Sequence, residues 1–316
     1  MLKNELKIRI TKASIELDLR EILIVKFLFL ISSSKKYTSQ ELIRQTGLPK
    51  THLYRLISNF TDLIEPKSNF IEIKADFSQK INQYLIELNK ETELDNKLIK
   101  NKIWEYQKLR PSSDRQLDQF NCTIKTTIKR VNKLAKNGDL LDKEIIFLGD
   151  DDLTSVAAAL TGQPKKITVF EIDDRLVSFI NKISNENNLN IEVVKTDLSQ
   201  NLDENYLNKF DIIFTDPPYT KEGVNLFLNQ AIKLVKKNLL GRIYLCYGNS
   251  DRAREREVEI QKLILDHNLI IKSKYNQFNK YHGAQSIGSS SSLYVLDWTP
   301  STKIIKSELK KIYTND

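Results

Sequence analysis

Glu144-Ile145-Ile146-Phe147-Leu148-Gly149-Asp150-Asp151-Asp152-Leu153-Thr154-Ser155 is a short apolar run that ends in one glycine and three consecutive acids. Such a run reads as a strand covered on both faces, and the residues after the acids read as the start of a helix. In an open parallel sheet, ligands bind beyond the carboxyl ends of the strands, so chemistry is expected at this turn. A dinucleotide-binding turn carries several glycines there, whereas Gly149 stands alone. Three adjacent carboxylates repel one another and repel phosphate, but they hold a polycation. The turn predicts a cationic substrate. Capping the positive end of the helix accounts for one acid, Asp150 or Asp152, and leaves two unexplained.

A second apolar run, Phe210-Asp211-Ile212-Ile213-Phe214-Thr215, ends in Asp216-Pro217-Pro218-Tyr219-Thr220. The two prolines stiffen the turn, which sets one carboxylate and one aromatic ring over a ligand. An Asp-Pro-Pro-Tyr turn after a strand resembles the motif of amino-group methyltransferases, where the substrate nitrogen docks against the Asp, the proline backbone and the aromatic face. Coupled with the acidic turn upstream, it resembles the branched-chain polyamine synthase family, the N4-bis(aminopropyl)spermidine synthases. The likeness continues through Arg110-Pro111, Asp118-Gln119, Thr123, Gly138-Asp139-Leu140, Gly223 and Leu226-Phe227-Leu228, and covers about residues 100 to 298.

Strands and helices alternate after the acidic turn: Lys166 to Glu171, a helix from Asp174, Ile191 to Lys195, the 210–215 strand, and a helix from Glu222 to Lys237. Two more strands, Arg242 to Tyr247 and Leu269 to Lys274, flank a helix around Arg254 to Leu265, and Ser292 to Asp297 is the last. This alternation predicts an α/β doubly wound sheet, of the Rossmann-like type that methyltransferases and aminopropyltransferases use. Glu171 ends the second strand, where an acid accepts hydrogen bonds from the ribose hydroxyls of a nucleoside; Asp173 is its neighbouring competitor. Asp197 follows the third strand, where these folds usually hold the adenine amino group. The resemblance places Gln119 and Thr123 beside the cofactor, although both residue types also serve as caps. The segment 278–291, with two glycines and a serine run, is expected to be a mobile loop over the site.

Upstream, apolar positions from Ile15 to Ile31 have helical spacing. Thr38 with Glu41 forms a capping-box pattern, Gly47-Leu48-Pro49 makes a turn, and a further helix spans Lys50 to Phe60. A short hairpin over 63–73 completes the outline of a winged helix. Thr51, His52, Tyr54 and Arg55 fall where a DNA reader places its base contacts. The alternative is that this module packs on protein, and no sequence-specific nucleic-acid binding is expected. The expected division is a small N-terminal winged-helix domain (1–80), a helical connector (81–115) and a catalytic domain (116–316).

With 316 residues, two domains are expected. The net charge of +8 invites a nucleic-acid reading, yet a substrate feels the local field, so a basic exterior is compatible with an acidic cleft. Cys122 and Cys246 have no metal-ligand spacing, and no metal is expected. No membrane segment or signal-peptide layout is read, so a cytoplasmic location is expected.

The resemblance implies an aminopropyltransferase: decarboxylated S-adenosylmethionine gives its aminopropyl group to the secondary amine of a linear polyamine such as spermidine, and methylthioadenosine leaves. Asp216 is the first candidate for the carboxylate that takes the amine proton, with Asp150, Asp151 and Asp152 beside it. Within the acidic turn, Asp151 is favoured for substrate contact, while Gly149 and Asp150 are placed beside the cofactor. Pro217, Pro218 and Tyr219 would form the substrate wall, with Tyr219 adding a cation–π contact of order 1–2 kcal/mol. A homodimer is expected. The competing readings are an S-adenosylmethionine-dependent amino-group methyltransferase acting on nucleic acid and a regulator whose α/β domain only senses a metabolite.

Overall fold

The computed structural model describes residues 2–33, 35–67, 69–92, 94–238, 240–248, 254–283, 288–306 and 311–314. It divides into two compact units, Met1–Glu93 and Leu94–Asp316. The division falls inside the segment expected as a connector.

The first unit contains α1 (Leu2–Leu17), α2 (Glu21–Ser32), α3 (Ser39–Thr46), α4 (Lys50–Asn59), β1 (Ile64–Pro66), β2 (Ile71–Ile73) and α5 (Ala75–Thr92). Thr38 and Glu41 form the reciprocal cap of α3, and Gly47 ends it at φ +75°, a conformation that costs glycine nothing. β1 and β2 pair antiparallel. The order helix, turn, helix, hairpin is the one the sequence leads one to expect. The helical pattern at 15–31, however, is split. Asp18 adopts φ +54°, and the hydroxyl of the buried Ser14 donates to the Leu19 carbonyl. This turn parts α1 from α2 without glycine or proline.

The second unit begins with α6 (Asn96–Leu109) and α7 (Ile124–Lys136), followed by β3 (Glu144–Leu148), α8 (Thr154–Ala159), β4 (Lys166–Glu171), α9 (Asp174–Glu186) and β5 (Ile191–Lys195). β6 (Ile212–Thr215), α10 (Lys221–Leu234), β7 (Arg242–Gly248), α11 (Arg254–Asp266), β8 (Ile270–Lys280) and β9 (Ser290–Asp297) complete it. The sheet order is β5-β4-β3-β6-β7-β9-β8. β5 to β7 run parallel in that order, and β9 pairs antiparallel with both β7 and β8. Successive residues of a strand point to opposite faces. Ile146 and Leu148 accordingly join one core with Val224 and Leu228 of α10, while Ile145 and Phe147 join another with Val131 of α7 and Ile180 of α9. This two-sided burial explains the unbroken apolar run.

The 278–291 segment differs from the expected loop. Phe278 to Lys280 end β8 and Ser290 and Ser291 begin β9, and residues 284–287 lie outside the described residues. Ser291 enters the sheet with its hydroxyl satisfied there: Oγ accepts from Asn279 at 2.8 Å and lies 2.7 Å from the Tyr281 hydroxyl.

Candidate active site

β3 pairs with β4 on one side and with β6 on the other, so the order of connection reverses between β3 and β6. The turns after these two strands face each other across that switch point, where an open sheet leaves a crevice. Both acidic turns sit there. A cavity of about 210 Å³ is lined by Gln119, Gly149, Asp150, Asp151, Glu171, Asp197, Asp216 and Pro218, with Phe170, Leu226 and Phe227 as apolar walls. Asp118, Ile312 and Tyr313 close one side. Six acidic residues line this cavity, Asp118, Asp150, Asp151, Glu171, Asp197 and Asp216, and no lysine or arginine does among the described residues.

The three acids of the turn have three different fates. Asp150 is the helix cap: its carboxylate accepts the Thr154 and Ser155 amides at 2.8 and 3.1 Å and the Ser155 hydroxyl at 2.5 Å. Burial pushes its carboxyl up to about 8 against the pull of those donors. Asp152 turns inward, where Oδ2 accepts from Arg130 at 2.7 Å and Oδ1 accepts the Cys122 amide at 2.5 Å. Asp151 lines the cavity, and its Oδ2 is buried with no hydrogen-bond partner. Arg110 donates to the Asp151 backbone carbonyl, and its charge opposes the rise of the Asp151 carboxyl. Burial, followed by the charges of Asp152 and Asp216, drives the Asp151 carboxyl well above the usual range. The turn is strained as well, since Leu153 is held at φ +56° with its side chain fully buried, a conformation rare for a bulky residue.

Asp216 is well supplied with donors. Oδ2 accepts from Arg130 at 2.6 Å and from the Tyr281 hydroxyl at 2.7 Å, and Oδ1 accepts from the Tyr219 hydroxyl at 3.2 Å. The two tyrosine oxygens lie 3.1 Å apart. Burial raises both phenols well above their ordinary value, which keeps them as donors. Burial also raises Asp216, while Arg130 opposes the shift.

At the end of β4, Glu171 accepts the amides of Ile172 and Asp173 on one oxygen and of Asp150 on the other, at 2.9 to 3.0 Å. These bonds fix the carboxylate at the cavity wall, and burial raises its pKa. Asp173 is committed elsewhere: it caps α9 and accepts from Arg175 and Gln119, and the Arg175 bonds hold its carboxyl down to about 2. Asp197 is exposed at the cavity and accepts the Ser199 amide at 2.8 Å. Thr123 is the N-cap of α7, accepting the Thr126 amide at 3.3 Å. The structure therefore gathers Gln119, Gly149, Asp150, Asp151, Glu171, Asp197, Asp216 and Pro218 on one cavity, and leaves Thr123, Asp152, Asp173, Pro217 and Tyr219 outside its lining. Tyr219 faces a neighbouring pocket with Tyr247 and Arg256.

Arg130 escaped the sequence reading, yet it carried a signal. Thr126, Thr127, Arg130, Val131 and Leu134 are the buried positions of α7, so an arginine interrupts an otherwise inward-facing stripe. A buried charge there requires a buried partner. Tyr281 carries no such signal, because the sequence pattern ends the preceding strand at Lys274 while β8 continues to Lys280.

The family model of the branched-chain polyamine synthase A C-terminal domain matches residues 98–315. The chain belongs to that family. It is 39% identical over 176 residues to the N(4)-bis(aminopropyl)spermidine synthase of Methanocaldococcus jannaschii, covering 55% of this chain and 50% of that protein. An uncharacterized protein of the same organism is 36% identical over 216 residues, 68% of this chain and 54% of the relative. The matched region thus spans about half the length of these curated relatives. Among solved structures, the branched-chain polyamine synthase from Thermus thermophilus, in complex with N4-aminopropylspermidine and 5'-methylthioadenosine, superposes with a TM-score of 0.60 at 20% identity, covering 92% of each chain. A putative RNA methyltransferase from Pyrococcus horikoshii reaches 0.50 at 16% identity over 66% of this chain and 98% of that one. These likenesses show the methyltransferase-type fold expected from the strand order.

Proposed function

We propose that this chain is an aminopropyltransferase that moves the aminopropyl group of decarboxylated S-adenosylmethionine to the secondary amine of a linear polyamine such as spermidine. The observation that carries this reading is the cavity lined by six acidic residues and, among the described residues, no lysine or arginine. A polyamine and a donor with a cationic tail suit such a wall, and a free carboxylate does not. The names of the relatives point the same way. The buried, unpartnered Asp151 oxygen supports it further, because a lone polar atom costs about 1–3 kcal/mol that a cationic ligand would recover.

In the reaction, the nitrogen lone pair attacks the carbon bonded to the sulfonium. The C–N bond forms as the C–S bond breaks, methylthioadenosine leaves with the sulfur electron pair, and the proton on nitrogen passes to a carboxylate. Asp151 takes that role in our reading. The Asp216 oxygens already accept three hydroxyl or guanidinium donors, so Asp216 fixes the wall instead. Glu171 would receive the ribose hydroxyls on its remaining lone pairs, Asp197 the adenine amine, and Pro218 would flank the acceptor. Tyr219 acts through Asp216. In this reading the chemistry lies in the second unit, residues 94–316, rather than in a domain that starts at 116 after a separate connector. We further propose a homodimer, in which a partner copy covers the exposed Ile8, Ile15, Ile22 and Phe29 of the first unit.

Incubation with spermidine and either donor, read by mass spectrometry, tests the function. The decarboxylated donor is expected to react at least about tenfold faster than intact S-adenosylmethionine, because one unscreened repulsion of about 1.4 kcal/mol suffices for that ratio. Equal consumption of both donors would overturn the reading. It would favour instead the methyltransferase that acts on nucleic-acid amino groups.

Glu171→Ala is expected to weaken binding of methylthioadenosine by about tenfold, the value of roughly 1.4 kcal/mol of lost hydrogen bonding. Turnover at saturating donor should change less, since the ribose contacts exist in ground and transition states alike. Calorimetry showing unchanged affinity would remove Glu171 from the nucleoside site. No helix among the described residues is long and apolar enough to cross a membrane.

A further inference from the structure

Arg130 is the largest fully buried side chain among the described residues, 1% exposed. Each nitrogen has a separate task. Nε donates to Asn279 Oδ1 at 2.9 Å, one terminal nitrogen to Asp152 Oδ2 at 2.7 Å and the other to Asp216 Oδ2 at 2.6 Å. Asn279 is itself held by Ser291. Three elements thus meet on one planar group: the turn after β3, the turn after β6, and β8. Those two turns are the walls of the acidic cavity.

We propose that Arg130 is a positioning residue of the transfer site: it clamps Asp152 and Asp216 to each other across the switch point and so leaves Asp151 as the turn acid open to the acceptor amine. This rests on the function proposed above. Without the clamp, Asp152 and Asp216 would repel one another in a buried place and the two turns would part. A lysine cannot replace it, because one ammonium cannot span three acceptors in a plane as the guanidinium fork does. The cation also sits behind the wall rather than on it, so it orders the carboxylates without appearing among the residues that face the cavity.

The consequence is a split between binding and turnover. Arg130→Lys retains the charge and loses the bridge, so spermidine should bind as tightly as to wild type. Turnover should fall about a hundredfold, the usual cost of a misplacement near 1 Å. Arg130→Met makes the cavity more negative, so spermidine should bind at least as tightly while turnover falls further. Should Arg130→Met fail to melt cooperatively, Arg130→Lys and Asn279→Ala carry the test. Asn279→Ala frees one end of the guanidinium without changing any charge, and turnover should fall about tenfold or more with unchanged spermidine affinity. Calorimetry with spermidine and with methylthioadenosine, beside steady-state kinetics, reads all three variants.

Wild-type turnover in both Arg130→Lys and Asn279→Ala overturns the clamp, as does a loss of spermidine affinity that accounts for the whole loss of rate. A wild-type chain that binds spermidine but consumes no decarboxylated S-adenosylmethionine overturns the proposed activity instead. The clamp is then judged on affinity alone, and weaker spermidine binding by Arg130→Lys rejects it. A wild-type chain that does not bind spermidine rejects both.

Discussion

Asp151→Asn is expected to lower kcat with spermidine by about a hundredfold or more, the range typical of losing a general base, and at the same time to raise the melting temperature at alkaline pH. The first effect follows if the cationic acceptor, on binding beside Asp151, pulls its pKa back down so that the ionised carboxylate takes the amine proton, since an amide has the shape but cannot accept it. The second follows from the environment of the carboxylate. Its Oδ2 is buried without a donor, and burial together with Asp152 and Asp216 places its pKa well above the usual range. The folded chain therefore keeps this proton to a higher pH than the unfolded chain, whose aspartates release theirs near about 4. Stability contributed by this group is full below pH of about 4 and declines as the pH rises toward the folded value. Asn carries no charge to bury, so the variant should escape the decline, with a gain of about 2 °C or more for each kcal/mol recovered. Alkaline pH should also rescue part of its turnover, by supplying free amine. A variant that is both less active and less stable at pH 8 would mark Asp151 as a structural residue.

The two strands that frame the site were legible because each is buried on both faces: Ile145 to Leu148 and Ile212 to Thr215 are all covered. Hydrophobic runs that end in acids announce themselves. The capping box at Thr38 and Glu41 was equally plain, being a local pattern with a local reason. Less legible were features settled by tertiary partners. Ser290 and Ser291 look like a loop until Asn279 and Tyr281 supply bonds for the Ser291 hydroxyl inside the sheet. The division of labour among Asp150, Asp151 and Asp152 was hidden for the same reason, because a run of identical residues contains no clue to which one finds Arg130. Thr123 illustrates the opposite case: its capping role follows from its position before α7, and the hydroxyl is spent there. Ile312 and Tyr313 reach the cavity from far along the chain, and nothing in their local sequence points to it.

Asp216→Asn should behave unlike Asp151→Asn, although both remove one carboxylate charge from the same cavity. Asp216 accepts from Arg130, Tyr281 and Tyr219, so all its donors point toward it. An asparagine there presents an NH2 group to at least one of those donors, and an orphaned pair of donors in a buried place costs about 1–3 kcal/mol. Arg130 would also be left with Asp152 as its remaining carboxylate. Breaking a buried ion pair by removing one partner costs about 3–5 kcal/mol, and the surviving Asp152 bond places the expected loss near the lower figure. The melting temperature should therefore fall at every pH where the parent holds Asp216 ionised. Turnover should fall about a hundredfold, because the Pro217-Pro218 turn, which brings Pro218 to the cavity wall, loses its anchor. Methylthioadenosine, for which we propose Glu171 as the ribose contact, should bind within about threefold of wild type, less than 1 kcal/mol. Raising the pH should not restore this variant, since free amine supplies a missing base and not a missing anchor. Alkaline rescue of Asp216→Asn together with none for Asp151→Asn would exchange the two roles, making Asp216 the base and Asp151 only the cation's electrostatic contact.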